Sequence, residues 1–323
     1  MRVFAGSPAN ELITRNILFG SVLDLIGNTP ILELSRLGHP SEAKVFAKAE
    51  FLNPSGSIKD RMVHYAVESA ERRDLLGNGD TIVEASSGNT GISVAMIAAY
   101  KGYKAVIVVP ETTSGVKVKM MERYGAEVIY TPSEEGIDAT IRRAREEAEE
   151  RGAFLLDQFR NPDNVRAHHA TGEEILKQAG HVDVFVAGIG TGGTLVGVAQ
   201  VLKEANPETR IVAVEPALAP AYYNMYYGCS LPIGSGIPHR IEGIGETFVP
   251  EIIRKNTDIV DEVMLVGDEE AFEMMGRLAT VEGLLTGVSS GANVHAAIEI
   301  AKKGKGACIV TVLPDSGQRY PGV

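Results

Sequence analysis

Residues 182–203 read VDVFVAGIGTGGTLVGVAQVLK. The first part, 182–187, is an apolar run of strand length, the pattern of a strand buried on both faces. It passes into Gly188-Ile189-Gly190-Thr191-Gly192-Gly193-Thr194, and 195–203 continues with helical spacing. A buried strand that turns at once into a helix is one unit of a parallel sheet covered by helices. At such a junction glycines let backbone N–H groups approach an anion closely, and the helix start adds a positive dipole. Thr191 and Thr194 contribute hydroxyls. Residues 190–194 therefore read as a phosphate cup, with tight helix–sheet packing as the alternative. Walker A is excluded because Gly-Lys-Ser/Thr is missing, and the dinucleotide fingerprint is met only loosely, by Glu215 as its acidic partner.

The same alternation extends outward. Upstream, strands over 45–51, 81–85, 105–109 and 127–130 interleave with helices over 58–72, 92–100, 116–124 and 138–151. A short strand over 31–34 follows a turn at 26–30, and 11–19 reads as a possible short helix. Downstream come a helix over 164–178, strands over 210–214, 263–266 and 307–313, and helices over 269–281 and 290–303. Residues 216–250, rich in Gly, Pro and Tyr, read as irregular. The expected fold is α/β with two domains, each a mostly parallel twisted sheet flanked by helices. Residues 1–160 form the first and 161–323 the second, with 158–162 as the crossing and residues about 20–50 reaching over to the other domain.

The chain has 323 residues, 44% apolar and 23% charged, as in soluble globular proteins. Its net charge is −11, with dispersed basic residues, which argues against nucleic acid. An anionic ligand must then be held by helix termini and glycine loops. Cys229 and Cys308 stand far apart without metal spacing, which gives no disulfide framework and suggests a reducing compartment. No signal segment and no apolar run of the ~20 residues needed to span a bilayer is visible. The expectation is a cytoplasmic protein with no membrane or metal partner.

A second stretch, Asn53-Pro54-Ser55-Gly56-Ser57-Ile58-Lys59-Asp60-Arg61, places a turn before a helix that Ser57 can cap. Lys59 then lies in the first turn, where the dipole is positive and a cation is unfavourable by ~0.3–1 kcal/mol. Two readings stand: Asp60 offsets Lys59 and the side chain is solvated, or the ammonium is destabilised because the amine must react. Two further strand–helix junctions carry hydroxyls: Ser86-Ser87-Gly88-Asn89-Thr90-Gly91, suited to a carboxylate or a ring oxygen, with an ordinary capped turn as the alternative, and Gly287-Val288-Ser289-Ser290-Gly291.

Taken together, Gly27-Asn28-Thr29-Pro30, Asn53-Pro54 through Arg61, Ser87 to Gly91, Gly190 to Thr194 and Pro314-Asp315-Ser316-Gly317 occur in an order and spacing that resembles a known family. It is that of cysteine synthase and cystathionine β-synthase, pyridoxal-phosphate enzymes of fold type II, and the likeness covers about 23–320. The resemblance implies that Lys59 carries pyridoxal phosphate as a Schiff base and later serves as the base at the substrate α-carbon. It implies that Gly190, Thr191, Gly192, Gly193 and Thr194 hold the phosphate and that Asn89 bonds the ring 3′-oxygen. Ser86, Ser87, Gly88 and Thr90, with Gln158, would grip the substrate carboxylate. Ser289, or Ser290 if the alignment slips by one, would face the pyridine nitrogen, and a hydroxyl there favours β-elimination.

The implied reaction is β-replacement on an O-activated serine, O-acetylserine by default, with sulfide, in a homodimer. O-phosphoserine is an alternative if Arg240 pairs with phosphate, and homocysteine as nucleophile is another. A regulatory homologue that binds the cofactor without turnover, and a nucleotide-binding oxidoreductase, are the other classes. The regulatory and haem-binding extensions of some cystathionine β-synthases have no counterpart in the sequence, which disfavours a regulated cystathionine β-synthase. Departures from the family pattern are Ser86 for Thr, Glu242-Gly243-Ile244-Gly245-Glu246 for Gln-Gly-Ile-Gly-Ala, and the pairs Tyr222-Tyr223 and Tyr226-Tyr227, read as packing or subunit contact.

Overall fold

The computed structural model describes residues 18–38, 41–233, 239–304 and 306–320. In chain order the strands are β1 (Ile31–Glu33), β2 (Lys44–Lys48), β3 (Thr81–Ala85), β4 (Lys104–Pro110), β5 (Glu127–Thr131), β6 (Phe154–Leu155), β7 (Val184–Gly188), β8 (Arg210–Pro216), β9 (Glu262–Val266) and β10 (Cys308–Val312). The helices are α1 (Lys59–Arg72), α2 (Asn89–Lys101), α3 (Gly115–Arg123), α4 (Gly136–Arg151), α5 (Asp163–Ala167), α6 (His169–Ala179), α7 (Gly193–Ala205), α8 (Ala221–Tyr227), α9 (Glu251–Arg254), α10 (Asp268–Arg277) and α11 (Val288–Lys303).

These strands form two sheets. One has the order β5-β4-β3-β6, all parallel. The other has the order β1-β2-β10-β7-β8-β9, parallel except for β1, which runs antiparallel to β2. Parallel strands need helical crossovers and end up covered on both faces, so their interiors are apolar without alternation. Val106, Ile107, Val108 and Val109 of β4 are all buried, as are Ile211 to Val214 of β8. Helix α2 is apolar almost all round and buried along most of its length. Gly91 lets it lie close to β4, because a Cβ there would stand 2.7 Å from Met121 Cε and 2.8 Å from Ile107 Cγ2.

Four local expectations change. Helix α1 starts at Lys59 with Ile58 at its N-cap and no side-chain cap. Ser57 instead forms an antiparallel bridge with Asp315. The single helix expected over 164–178 is broken at His168 into α5 and α6. The stretch 216–250 contains α8, about two tyrosine-rich turns whose rings pack edge and tilted against one another, Tyr223 and Tyr227 with centroids 4.6 Å apart. Strand β6, two residues long, is an addition that the sequence pattern does not signal. Most of the proposed helix at 11–19 lies outside the described residues. Both cysteines are free thiols, and no helix among the described residues is long and apolar enough to cross a membrane.

Under α1 lies a buried ionic cluster. Arg61 donates to both Glu50 oxygens (2.7 and 2.8 Å) and both Glu174 oxygens (2.8 and 2.7 Å). Lys48, wholly buried, donates to Glu174 at 2.6 Å, to Gln178 and to the Thr29 carbonyl. Two cations face two carboxylates, so the cluster is neutral, and it ties the first turn of α1 to β2 and α6.

Candidate active site

The carboxyl ends of β3, β7 and β10, the start of α1 and the loop 242–246 line one partly open cleft. Crevices of this kind form where loops leave the carboxyl ends of parallel strands. Lys59, Ser86, Ser87, Gly88, Asn89, Thr90, Gln158, Gly190, Thr191, Gly192, Thr194 and Ser289 all line it. Gly193 does not; it stands behind the cup against the Asn164 carboxamide, where any Cβ would collide. Ser290, the fallback for Ser289, is fully buried outside the lining.

Lys59 has no carboxylate hydrogen-bonded to it among the described residues. Asp60 is buried and its oxygens accept from the Ser55 amide (2.7 Å), the Ser55 hydroxyl (2.5 Å) and the Ser93 hydroxyl (2.6 Å). The offsetting role proposed for Asp60 therefore does not hold. Burial lowers the Lys59 pKa from its ordinary value, while Glu246, Asp315 and Glu84 pull the other way. The amine is thus more available as a nucleophile and base than a surface lysine.

The cup at the start of α7 is rigidly built. Gly192 has φ +87°, a left-handed backbone that favours glycine. A Cβ on Gly190 would lie 2.5 Å from the Gly243 carbonyl oxygen. Thr191 Oγ1 accepts from Asn164 Nδ2 (2.9 Å) and from the Gly193 amide (3.3 Å). Thr194 Oγ1 contacts His168 Nε2 at 3.2 Å, with Thr171 Oγ1 on the other ring nitrogen. Burial first, then Arg61 and Lys59, holds His168 well below its ordinary pKa, so the ring is neutral. The sequence gives His168 no visible role, since Thr194, the partner in the cup, becomes its neighbour only through packing.

In the loop 86–90 the Ser86 hydroxyl accepts from the Gly88 (3.1 Å) and Gly91 (3.0 Å) amides and so braces the start of α2. Thr90 Oγ1 donates to Gln158 Oε1 at 2.7 Å, and Gln158 Nε2 donates to the Ala85 carbonyl at 2.9 Å. Gln158 is therefore largely a brace. Ser87 is exposed to the cleft. Asn89 donates to Asp315 (2.8 Å) and accepts from Arg319, while Tyr320 OH donates to Asp315 at 2.5 Å. Burial raises the Asp315 pKa against these bonds.

Glu246 also lines the cleft, at the position where the family pattern has alanine. Burial raises its pKa to about 7, with Lys59 opposing. Arg240 is not in the cleft: it is exposed, bonded to Asp268 and stacked 4.6 Å over Phe272. The tyrosine pairs also lie outside the lining.

The site suits a phosphorylated cofactor that condenses with an amine. A concave amide-rich cup faces a desolvated lysine amine, and Asn293 Oδ1, buried in the same wall, lacks a hydrogen-bond donor from the protein. The family model described as pyridoxal-phosphate dependent enzyme matches residues 22–315. A cysteine synthase of Staphylococcus aureus (strain Mu50 / ATCC 700699) is 44% identical over 304 residues, 93% of this chain and 94% of the relative. The crystal structure of O-ureido-L-serine synthase superposes with a TM-score of 0.88 at 40% identity over 95% of each chain. That of an O-acetylserine-dependent cystathionine β-synthase from Helicobacter pylori gives 0.87 at 37% identity, over 95% of this chain and 98% of the other. With the cleft and these likenesses in agreement, the chain belongs to the cysteine synthase and cystathionine β-synthase family, pyridoxal-phosphate-dependent β-replacement enzymes of fold type II.

Proposed function

We propose that the protein makes L-cysteine by β-replacement, taking an O-activated L-serine, O-acetylserine first, and sulfide. The observation that carries this reading is the lysine amine of Lys59, kept free of any carboxylate bond and facing both the cup at 190–194 and the loop at 86–90. The 44% identity to a cysteine synthase supports it. In this reading Lys59 Nζ holds the cofactor, Gly190 to Thr194 hold its phosphate, and Ser289 and Asn89 contact its ring. When bound, pyridoxal phosphate supplies a carbonyl that condenses with amines and a ring that withdraws electrons from the substrate α-carbon.

The residues of the chain do the rest. The Asn89 and Thr90 amides, left at the start of α2 once the Gly91 amide bonds Ser86 and the Ile92 amide bonds Gly88, bind the α-carboxylate with the Ser87 hydroxyl. Lys59 Nζ, once released, takes the α-proton, and the Cβ–O bond breaks with loss of acetate. Hydrosulfide then forms the Cβ–S bond, and Lys59 Nζ returns a proton to the α-carbon. Glu246, near half-protonated at neutral pH, exchanges a proton with groups at the β-carbon. Ser289 offers the ring nitrogen a hydroxyl in place of a carboxylate, which leaves the ring a weaker electron acceptor and favours expulsion of the β-substituent. Residues 1–160 and 161–323 are proposed as the two domains that meet at this cleft.

The test is turnover. The cofactor-loaded protein is expected to form cysteine from O-acetylserine and sulfide and to absorb visible light through its lysine-bound cofactor. Lys59→Ala is expected to abolish both while leaving the far-UV circular dichroism unchanged. Turnover retained in Lys59→Ala would refute the assignment.

A further inference from the structure

Besides Lys59, the cleft lining holds one other cationic side chain among the described residues, Lys117 of α3. It is 2% exposed. Its ammonium stands 4.6 Å over the Tyr320 ring and 3.5 Å from where a Cβ on Gly88 would lie, which puts it beside the loop 86–90. Its ion-pair partner is Glu242, on the loop that forms the opposite wall.

The pair is lopsided. The Lys117 side chain is 3% exposed and that of Glu242 is 53% exposed. A buried ammonium stripped of water needs an anion, whereas a half-exposed carboxylate can return to water with little loss. Other attractions are weaker: the Tyr320 ring gives a cation–π contact, and Asp315, which feels the Lys117 charge, is already bonded by Asn89 and Tyr320. Lys117 is therefore a standing anion site whose present occupant is tethered and easily exchanged.

We propose that Lys117 seats a second anionic group of the substrates, beyond the α-carboxylate, and that Glu242 is the internal occupant which that group displaces. The inference rests on the β-replacement reading above. The chemistry recognised is an anion at the cleft mouth, supplied either as the phosphate ester of a serine donor or as the carboxylate of an amino-acid thiol acting as nucleophile. One ion pair is exchanged for another, and no covalent bond changes.

The measurement is a ratio of specificity constants in cofactor-loaded protein, kcat/KM for an anion-bearing substrate over that for the reference pair O-acetylserine and sulfide. One arm replaces O-acetylserine by O-phosphoserine; the other replaces sulfide by homocysteine. In the arm that supplies the fitting anion, Lys117→Gln is expected to lower the ratio about tenfold to a hundredfold, the worth of a hydrogen bond to a charged group. Glu242→Gln is expected to raise it, because the competitor is gone. The charge-exchanged variant, Lys117→Glu with Glu242→Lys, is expected to recover thermal stability but not the ratio. Opposite signs for the two single variants distinguish a seat from a structural pair. Single variants that shift the ratio the same way or not at all in both arms, or an exchanged variant that restores it, would overturn the proposal alone. Failure of the native protein to turn over the reference pair would overturn the β-replacement reading, and this proposal with it.

Discussion

Replacing Arg61 by leucine removes four short charge-assisted hydrogen bonds and leaves Glu50, fully buried, and Glu174, half-buried, without their main partner. Breaking a buried ion pair from one side costs about 3–5 kcal/mol. A second route gives a similar figure. Burial pushes the Glu174 carboxyl up, but Arg61, with Lys48, outweighs it and holds the pKa at about 2 against an ordinary 4.5. That difference is worth roughly 3 kcal/mol by linkage. Whole domains are stable by only ~5–15 kcal/mol, so Arg61→Leu is expected to shift unfolding strongly. The sign with pH follows from the depressed pKa: the Glu174 contribution is complete above about 4.5 and is lost as pH falls towards about 2. Urea unfolding of native and Arg61→Leu protein between pH 7 and pH 3 is therefore expected to show a gap of a few kcal/mol at neutrality that narrows in acid. Glu50→Gln is expected to be destabilising in the native protein and stabilising in the Arg61→Leu background, since there it removes an unpaired buried charge. A gap below about 1 kcal/mol at pH 7, or one that does not narrow in acid, would refute this account of the cluster.

Other expectations follow from the site and its surroundings. Gly190→Ala places a methyl 2.5 Å from a backbone oxygen that cannot yield cheaply, so cofactor titration of the stripped protein is expected to show affinity reduced about tenfold or more; unchanged affinity would mean that residues 190–194 do not hold the phosphate. The pH–rate profile is expected to bend near pH 7 as Glu246 loses its proton, and Glu246→Gln to lack that bend. Glu84, wholly buried in β3, has its pKa raised by burial and then by Asp157 to about 8, against 4.5. The folded state thus keeps a proton that the unfolded chain releases, and stability falls as pH rises from about 4.5 to about 8, by up to roughly 4–5 kcal/mol. Thermal melts of Glu84→Gln are expected to lose that slope and to gain stability at pH 8; an unchanged slope would disprove it.

The junctions at 86–91 and 190–194 were legible because everything that defines them is contiguous: an apolar strand, small residues, a helix start. The boundaries of β3 matched to the residue for the same reason. What was not legible depends on partners brought together by packing. Lys117 sits in a short amphipathic helix among other charged residues and looks solvated until Glu242 and Tyr320, each more than a hundred residues on, pack against it. His168, Glu174 and Glu50 carry no local signal at all. Ser57 reads as a cap because Ser precedes a helix there, but a tertiary bridge to Asp315 competes for it. Glu246 stood out only as a departure from the family pattern, which named the residue without naming its role. The tyrosines of α8 lack a periodic window long enough to signal a helix.

The Ser57–Asp315 bridge has a consequence for biosynthesis. β10 lies between β2 and β7 in the six-stranded sheet, and the turn beyond it fixes the residue two before the reactive lysine. A ribosome-bound chain that has emerged only as far as α10 has every residue of the phosphate cup and of the loop 86–90, yet lacks the strand that aligns β2 with β7. Contacts of such long sequence separation form late and slowly. The lysine amine therefore acquires its desolvated setting only when nearly the whole chain is present; with Lys59 as the cofactor residue, as proposed, cofactor capture is expected to report a nearly completed fold, and nascent or prematurely terminated chains to be poor sinks for a reactive aldehyde.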